Sequence, residues 1–221
     1  MIRHMDREIG RLKKQILALS AVIEGSVQRV TQSLAMRDAS LAQEVIDRDT
    51  DIDQAEVDVE EECLKILALY QPVAIDLRFV IAILKINNDL ERIGDEAVNI
   101  AERVVFLARQ DAFDIPFNYS LMSDKTQAML RKSLDALVNM DTELAHEVGL
   151  ADDEVDELNS EMYVRVQDAI RRHPEQVETL IHLLSISRHL ERIADYATNI
   201  AEDVIYMIDG EIVRHKAEAY L

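Results

Sequence analysis

Apolar residues recur every three to four positions along most of the chain, which is the period of an amphipathic α-helix. The pattern predicts an all-α protein of six helices. They cover roughly residues 6–36, 39–69, 72–110 and 120–149, a fifth segment that ends at about residue 172, and a sixth that ends at about residue 210.

Proline, serine and glycine residues set the predicted helix boundaries. Pro72 and Pro174 suit the first turns of the third and sixth helices, where a missing N–H group costs nothing. Ser120 and Ser123 are candidate N-caps of the fourth helix, and Gly210 is a candidate stop or kink before the segment Val213-Arg214-His215. Residues 113–117 read as a linker.

The third and sixth predicted helices are unusually long, with a length of roughly 55 Å at 1.5 Å per residue. Ile81, Ile83 and Leu84 point in different directions around the third helix, which implies burial on more than one side. We therefore predict two elongated three-helix bundles, related by a pseudo-twofold axis, that pack together through these two helices.

An internal repeat supports this division. Residues 90–104 (LERIGDEAVNIAERV) and 190–204 (LERIADYATNIAEDV) share eleven identical positions at a spacing of one hundred. Upstream segments also match, at a spacing of 103, including Asp49-x-x-x-Asp53 with Asp152-x-x-x-Asp156. We expect a first domain over residues 1–112 and a second over residues 113–221, with corresponding Cα atoms superposing at these spacings.

Composition and charge narrow the functional classes. The net charge is −19, which disfavours binding to nucleic acid or anionic lipid and suits cations or basic partner surfaces, although solubility alone explains much of it. Cys63 is the single cysteine, so no internal disulfide forms. The N-terminus has no apolar signal region and no apolar run is long enough to span a bilayer, so we expect a cytoplasmic protein.

Each half carries a duplicated set of carboxylates. Glu91 and Asp95 share one helix face opposite the apolar stripe, and Glu191 and Asp195 repeat this arrangement. The full candidate set is Asp49, Asp53, Glu91 and Asp95 in the first half and Asp152, Asp156, Glu191 and Asp195 in the second half.

Two interpretations of these residues remain open. They form a solvated acidic face, with Arg92 and Arg192 relieving part of the repulsion, or they bind metal ions that prefer oxygen ligands. No zinc-type histidine pattern, nucleophile elbow or phosphate-binding loop is present in the sequence, and His189 lies on the apolar side of its helix and is expected in the core.

The paired motif Leu-Glu-Arg-Ile-Gly/Ala-Asp followed by Asn-Ile-Ala-Glu resembles the PhoU family of bacterial phosphate-transport regulators. The resemblance covers nearly the whole chain. It implies two similar three-helix bundles and a non-enzymatic negative regulator of phosphate uptake and phosphate-starvation signalling. The implied partners are the ATPase of a Pst-type phosphate ABC transporter and a phosphate-sensing histidine kinase, with membrane association only through them.

The resemblance also implies metal binding. Some PhoU-like proteins hold multinuclear clusters through paired Glu/Asp-x-x-x-Asp motifs, which correspond here to the eight carboxylates above. The ions would be divalent or trivalent, with Fe, Zn, Mn and Mg as candidates and iron clusters among them. The family often has His after the motif Asp, whereas this chain has Glu96 and Tyr196, which leaves the metal's identity open.

Two alternatives remain beside the regulator: an enzyme that uses a metal cluster, and a metal-buffering or structural helical protein. Homodimerisation is a further expectation, because Phe79, Val80 and Ile81 add apolar surface beyond the need of one bundle. The same surface is equally suited to packing between the two halves.

Overall fold

The computed structural model describes residues 2–111 and 117–213, and within these ranges it contains α-helices and no strand. The predicted all-α class is therefore confirmed. The helices are α1 (Ile2–Met36), α2 (Ala39–Asp47), α3 (Asp49–Tyr70), α4 (Ala74–Leu107), α5 (Tyr119–Asn139), α6 (Thr142–Arg172) and α7 (Val177–Asp209), and a 3-10 turn (Pro174–Gln176) leads into α7.

Two three-helix bundles follow one another along the chain, as predicted. In the first half, α1, the α2–α3 pair and α4 pack on one another, and in the second half α5, α6 and α7 do the same. The most extensive helix–helix contact joins α4 to α7, so their buried side chains form one apolar core that continues across both halves. The predicted domain boundary stays a prediction, because residues 112–116 lie outside the described ranges.

The α4 and α7 helices pack antiparallel, which is the arrangement that a pseudo-twofold axis perpendicular to two equivalent helices produces. Near the start of α4, Lys85 Nζ lies 2.8 Å from Oδ1 of Asp203, near the end of α7. Near the other end, the ring of Phe106 stacks on that of His182, with centroids 3.9 Å apart. Both sides of α4 are buried as a result, and the predicted packing through the two long helices is confirmed.

The prediction of one continuous helix over residues 39–69 is wrong. The helix breaks at Arg48, whose backbone (φ −93°, ψ −3°) ends α2 and precedes α3. The break falls in the segment Asp47-Arg48-Asp49-Thr50-Asp51, and Asp and Thr side chains compete for backbone hydrogen bonds and disfavour helix interiors. The corresponding segment of the second half contains Leu150 and Ala151, and α6 runs through it unbroken.

The predicted boundary near Gly149 is also wrong, because α5 ends at Asn139. Met140 adopts a left-handed conformation (φ 53°), and the Asp141 side chain then accepts a hydrogen bond from the Leu144 N–H at 3.0 Å and caps α6. At the start of α5, Asn118 is the N-cap instead of Ser120 or Ser123, because its Oδ1 accepts from the Leu121 N–H at 3.0 Å.

The proline and glycine predictions are close to the structure. Pro72 precedes the N-cap Val73 and so lies two residues before α4, whereas Pro174 begins the 3-10 turn that leads into α7. Gly210 ends α7 in the left-handed conformation (φ 77°), as predicted for a stop. Arg214 and His215 lie outside the described residues.

The apolar residues on which the homodimer prediction rested are largely buried within the chain. Phe79 and Val80 are buried, and Ile81 is half-buried. Dimerisation stays a prediction, now without that support. None of the described helices combines the length and apolar character that a bilayer-spanning segment needs.

Gly94 lies where α4 packs closely against α1 and α3. An added Cβ would be 3.3 Å from Cδ1 of Ile23 and 3.4 Å from Cγ2 of Ile52. We expect Gly94→Val to lower the free energy of unfolding by about 2 kcal/mol, through overpacking. The control Gly10→Ala, which meets nothing within 4 Å, should raise it by about 1 kcal/mol through helix propensity. Urea denaturation of both variants tests this, and equal effects would contradict it.

Candidate functional site

The first-half acidic face is formed by Asp49 and Asp53 on α3 and by Glu91 and Asp95 on α4. Partial burial raises the pKa of Asp49, and repulsion from Asp53 and Asp95 raises it further. The pKa of Glu91 is raised first by burial and then by Asp95. These four carboxylates therefore lie within electrostatic reach of one another across the α3–α4 contact, as the sequence predicted.

The second-half acidic face repeats this arrangement between α6 and α7. Burial, followed by repulsion from Asp195 and Asp156, raises the pKa of Asp152 to about 6, even though Thr198 donates a hydrogen bond to its Oδ1 at 3.4 Å. Partial burial of the carboxyl group raises the pKa of Asp195 to about 6, and Glu191 and Asp156 add to the rise, although the residue as a whole remains exposed. Both halves therefore hold carboxylates that repel one another.

Exposure divides each acidic face in the same way. In both halves the first member of each helix pair is half-buried and the second is exposed. The half-buried residues are Asp49, Glu91, Asp152 and Glu191, and the exposed residues are Asp53, Asp95, Asp156 and Asp195.

The carboxylate oxygens of these faces are suitable donors for a hard cation, but their present arrangement does not form a binding site. Every donor is a carboxylate oxygen in a region of mutual repulsion, which Mg²⁺, Mn²⁺ or iron would relieve. Among the described residues, however, no three or more His, Cys, Asp or Glu side chains converge closely enough to hold a metal ion as they stand. Binding would require these side chains to rotate toward one another, and the metal role stays a prediction.

The first half contains two repelling carboxylates beside the predicted set, Glu56 and Glu60. Glu56 has a raised pKa because of partial burial and repulsion from Glu60 and Asp53. Asn87 Nδ2 donates hydrogen bonds to the backbone carbonyl oxygen of Glu56 at 2.9 Å and to Glu56 Oε1 at 3.1 Å. In the second half the equivalent residues are Ser187 and Asn159, and the Ser187 hydroxyl donates to Asn159 Oδ1 at 2.9 Å. Since Asn159 is uncharged where the first half has Glu56, the two faces differ in charge.

A buried polar network between the halves was not expected from the sequence. Glu96 has a side chain that is only 4% exposed, and its Oε2 lies 2.5 Å from Nδ1 of His189. Its Oε1 lies 2.9 Å from Nη1 of Arg192, and Nη2 of Arg192 donates to the Tyr196 hydroxyl oxygen at 3.0 Å. The other ring nitrogen of His189 lies 3.1 Å from Ser185 Oγ. His189 lies largely buried, with 14% of its side chain exposed, and the sequence did not predict its polar partners there.

The position of Glu96 around α4 agrees with its place between the halves once α7 is packed against that helix. At 100 degrees per residue Glu96 lies roughly 140 degrees from Glu91, between the acidic and apolar arcs. A residue at that angle on a helix buried on two sides faces the neighbouring helix. Glu96 therefore belongs to the contact between the halves and not to the acidic face.

The pKa of Asp152 gives a pH-dependent prediction. A carboxyl group whose pKa is about 6 when folded, against an ordinary value of 3.8, binds more protons in the folded state, so folding stability falls as pH rises from about 4 to 6. We expect Asp152→Asn to raise the free energy of unfolding of the metal-free protein at pH 7.5 by about 1 kcal/mol after allowance for solvent screening. The gain should vanish near pH 4. Denaturant titrations at both pH values measure it, and an equal effect at both would contradict the electrostatic cause.

Both halves of the chain are similar to known proteins. The family model for the PhoU domain matches twice, at residues 16–104 and 119–204. The chain is 39% identical over 210 residues to the phosphate-specific transport system accessory protein PhoU homolog of Aquifex aeolicus, covering 95% of each chain. It is 35% identical over 216 residues to the homolog of Pseudomonas aeruginosa, covering 96% of this chain and 88% of that one.

Two solved structures are similar to this fold. The crystal structure of PhoU from Pseudomonas aeruginosa gives a TM-score of 0.89 at 34% identity and covers 93% of this chain and 99% of that one. The phosphate transport system regulatory protein PhoU from Streptococcus pneumoniae gives a TM-score of 0.83 at 30% identity and covers 95% of this chain and 99% of that one.

Proposed function

Since the chain belongs to the PhoU family of phosphate-transport accessory and regulatory proteins, we propose that it is a negative regulator of phosphate uptake and phosphate-starvation signalling. In this role it is a non-enzymatic cytoplasmic adaptor. It links the ATPase of a Pst-type phosphate transporter to a phosphate-sensing histidine kinase when phosphate is plentiful. The observation that carries the proposal is the match of both halves, over nearly their full length, to accessory proteins of phosphate-specific transport.

We further propose that the two acidic faces bind metal ions and that bound metal sets the surface presented to the partners. The support is electrostatic: each face gathers carboxylates whose pKa values are raised by burial and by one another. Asp49, Asp53, Glu91 and Asp95 would hold the metal in the first half, and Asp152, Asp156, Glu191 and Asp195 in the second. A bound cation would cancel the repulsion and fix the side chains in one arrangement.

Deletion of the gene tests the regulatory role. A deletion strain grown in phosphate-rich medium should continue to take up phosphate at the rate of starved cells, and the wild-type gene should restore repression. Uptake of radioactive phosphate measures the effect. If the deletion leaves uptake and the expression of starvation genes unchanged in rich medium, the regulator proposal is wrong.

A further inference from the structure

Arg192 lies at the contact between α4 and α7, the two helices that carry half of each acidic face. Its Nη1 lies 2.9 Å from Oε1 of Glu96 on α4, and its Nη2 donates to the Tyr196 hydroxyl oxygen at 3.0 Å. Glu96 directly follows Asp95 of the first-half acidic face, and Arg192 directly follows Glu191 of the second-half acidic face. The guanidinium group therefore reaches from the helix of one face to the helix of the other.

The pseudo-twofold axis passes through this contact. Arg192 lies opposite Glu96, and its equivalent Arg92 lies opposite Tyr196, so that both guanidinium carbons are 5.9 Å from the centre of the Tyr196 ring. A helix turns by roughly 100 degrees per residue, which puts each arginine between the acidic arc of its helix and the side that packs on the other half. Because a twofold axis between antiparallel helices relates residues on the same side of the pair, the two acidic faces flank these arginines.

The charge of Arg192 acts on carboxylates of both faces. In the first half, burial and then Asp53 raise the pKa of Asp95, and Arg192 opposes this rise from the other half of the chain. In the second half, burial and then Glu191 raise the pKa of Asp195, and Arg192 opposes that rise as well. One guanidinium group is therefore a counter-charge that the two faces share.

We propose that Arg192 sets the affinity of both acidic faces for divalent cations. The inference rests on the metal binding proposed above and names the residue that regulates it. A positive charge held between the faces repels a cation bound at either of them, and so weakens binding at both. Because a single guanidinium group acts on the two faces, it brings them into one range of ion concentration.

Glu96 holds this charge in its place. Its buried carboxylate attracts the guanidinium group of Arg192 across the contact toward α4. Arg188, one turn before Arg192 on the same helix, provides a comparison, because its charge acts on the second-half face. Burial raises the pKa of Glu191 there, and Arg188 opposes the rise. The chain thus offers a second arginine of equal charge that is placed toward one face.

The test measures Mn²⁺ binding to the full chain with Arg192→Gln, by the electron paramagnetic resonance signal of the free ion. Glutamine can still donate a hydrogen bond to Glu96, and the side chain of Arg192 is 48% exposed, so the variant should fold. Asp195→Asn in the background isolates the first-half face, and Asp95→Asn isolates the second-half face. At low ionic strength we expect Arg192→Gln to tighten binding by at least roughly threefold at each face, and the gain should shrink at high salt.

Two further variants serve as controls. Arg188→Gln removes the same charge one turn away, and should tighten binding at the second-half face while leaving the first-half face within about twofold of the parent. Arg192→Lys keeps the charge between the faces and should keep the parent affinity at both. Circular dichroism checks that each variant is folded.

The outcomes separate this inference from the proposed function. If Arg192→Gln tightens binding at the second-half face alone, Arg192 serves only its own half and the inference is wrong, while the proposed metal binding stands. If Arg192→Lys tightens binding as much as Arg192→Gln does, charge is not the cause and the inference is equally wrong. If the parent binds no Mn²⁺, the metal proposal and this inference fail together, and the gene deletion still decides the regulatory role.

Discussion

Combined replacement of His189 by Leu and Arg192 by Met should lower the free energy of unfolding by about 1–3 kcal/mol at pH 7.5, because the buried Glu96 carboxylate loses its partners while Arg192 is itself 48% exposed. The Glu96 side chain is 4% exposed and lies between these two partners. Without them the carboxylate stays buried and loses these two partners, which is costly. Urea denaturation measures the loss.

A third substitution supplies the control. Adding Glu96→Leu to the double variant removes the uncompensated charge, so most of the lost stability should return. If the double variant loses less than 1 kcal/mol, or if the triple variant is no more stable than the double variant, the network does not act as a buried ion pair.

The metal proposal predicts the second large effect. Saturating Mn²⁺ or Fe²⁺ should raise the melting temperature of the parent protein, because an ion that binds only the folded state at one hundred times its Kd contributes about 2.7 kcal/mol. For a chain of this size that is roughly 5–10 °C. Asp95→Asn combined with Asp195→Asn should abolish the increase, because each change removes one carboxylate from one acidic face.

The matched control is Asp58→Asn combined with Glu161→Gln, which neutralises an exposed pair at corresponding positions of α3 and α6. This control should keep the full increase. Without metal, the Asp95/Asp195 variant should be more stable than the parent because repulsion is relaxed. If metal analysis of untagged protein gives nothing above background and added Fe²⁺, Mn²⁺, Zn²⁺ or Mg²⁺ leaves melting unchanged, these faces serve solubility or partner docking instead.

Much of the fold could be predicted because the apolar period and the internal repeat extend over long stretches of the sequence. The apolar period identified the two long helices, and the duplicated motif identified the division into halves and the carboxylates that face one another. The errors were local. The α5 end near Asn139 could have been placed from the match of Asp141 to Asp38, since both cap helices after a left-handed residue.

Other features depend on the contact between the halves, which a single helix pattern does not describe. Glu96 looks like a surface residue until α7 is packed against it, because its partners His189 and Arg192 are more than ninety residues away. The convergence of carboxylates on a metal ion depends on rotamers and on the ion itself. The sequence therefore predicted the acidic faces but not their side-chain arrangement.

The antiparallel contact of α4 with α7 has a consequence for the origin of the chain. A half-length ancestor would have exposed the apolar side of its last helix, and pairing with an identical copy through an isologous interface would have covered it. Fusion of two such copies would turn that homodimer into one polypeptide and free each copy to diverge. Two pairs of equivalent positions now differ: the first copy has Glu96 where the second has Tyr196, and Lys85 pairs with Asp203 where the equivalent positions hold Ser185 and Arg103. A symmetric homodimer forbids such differences, whereas a fused chain permits them.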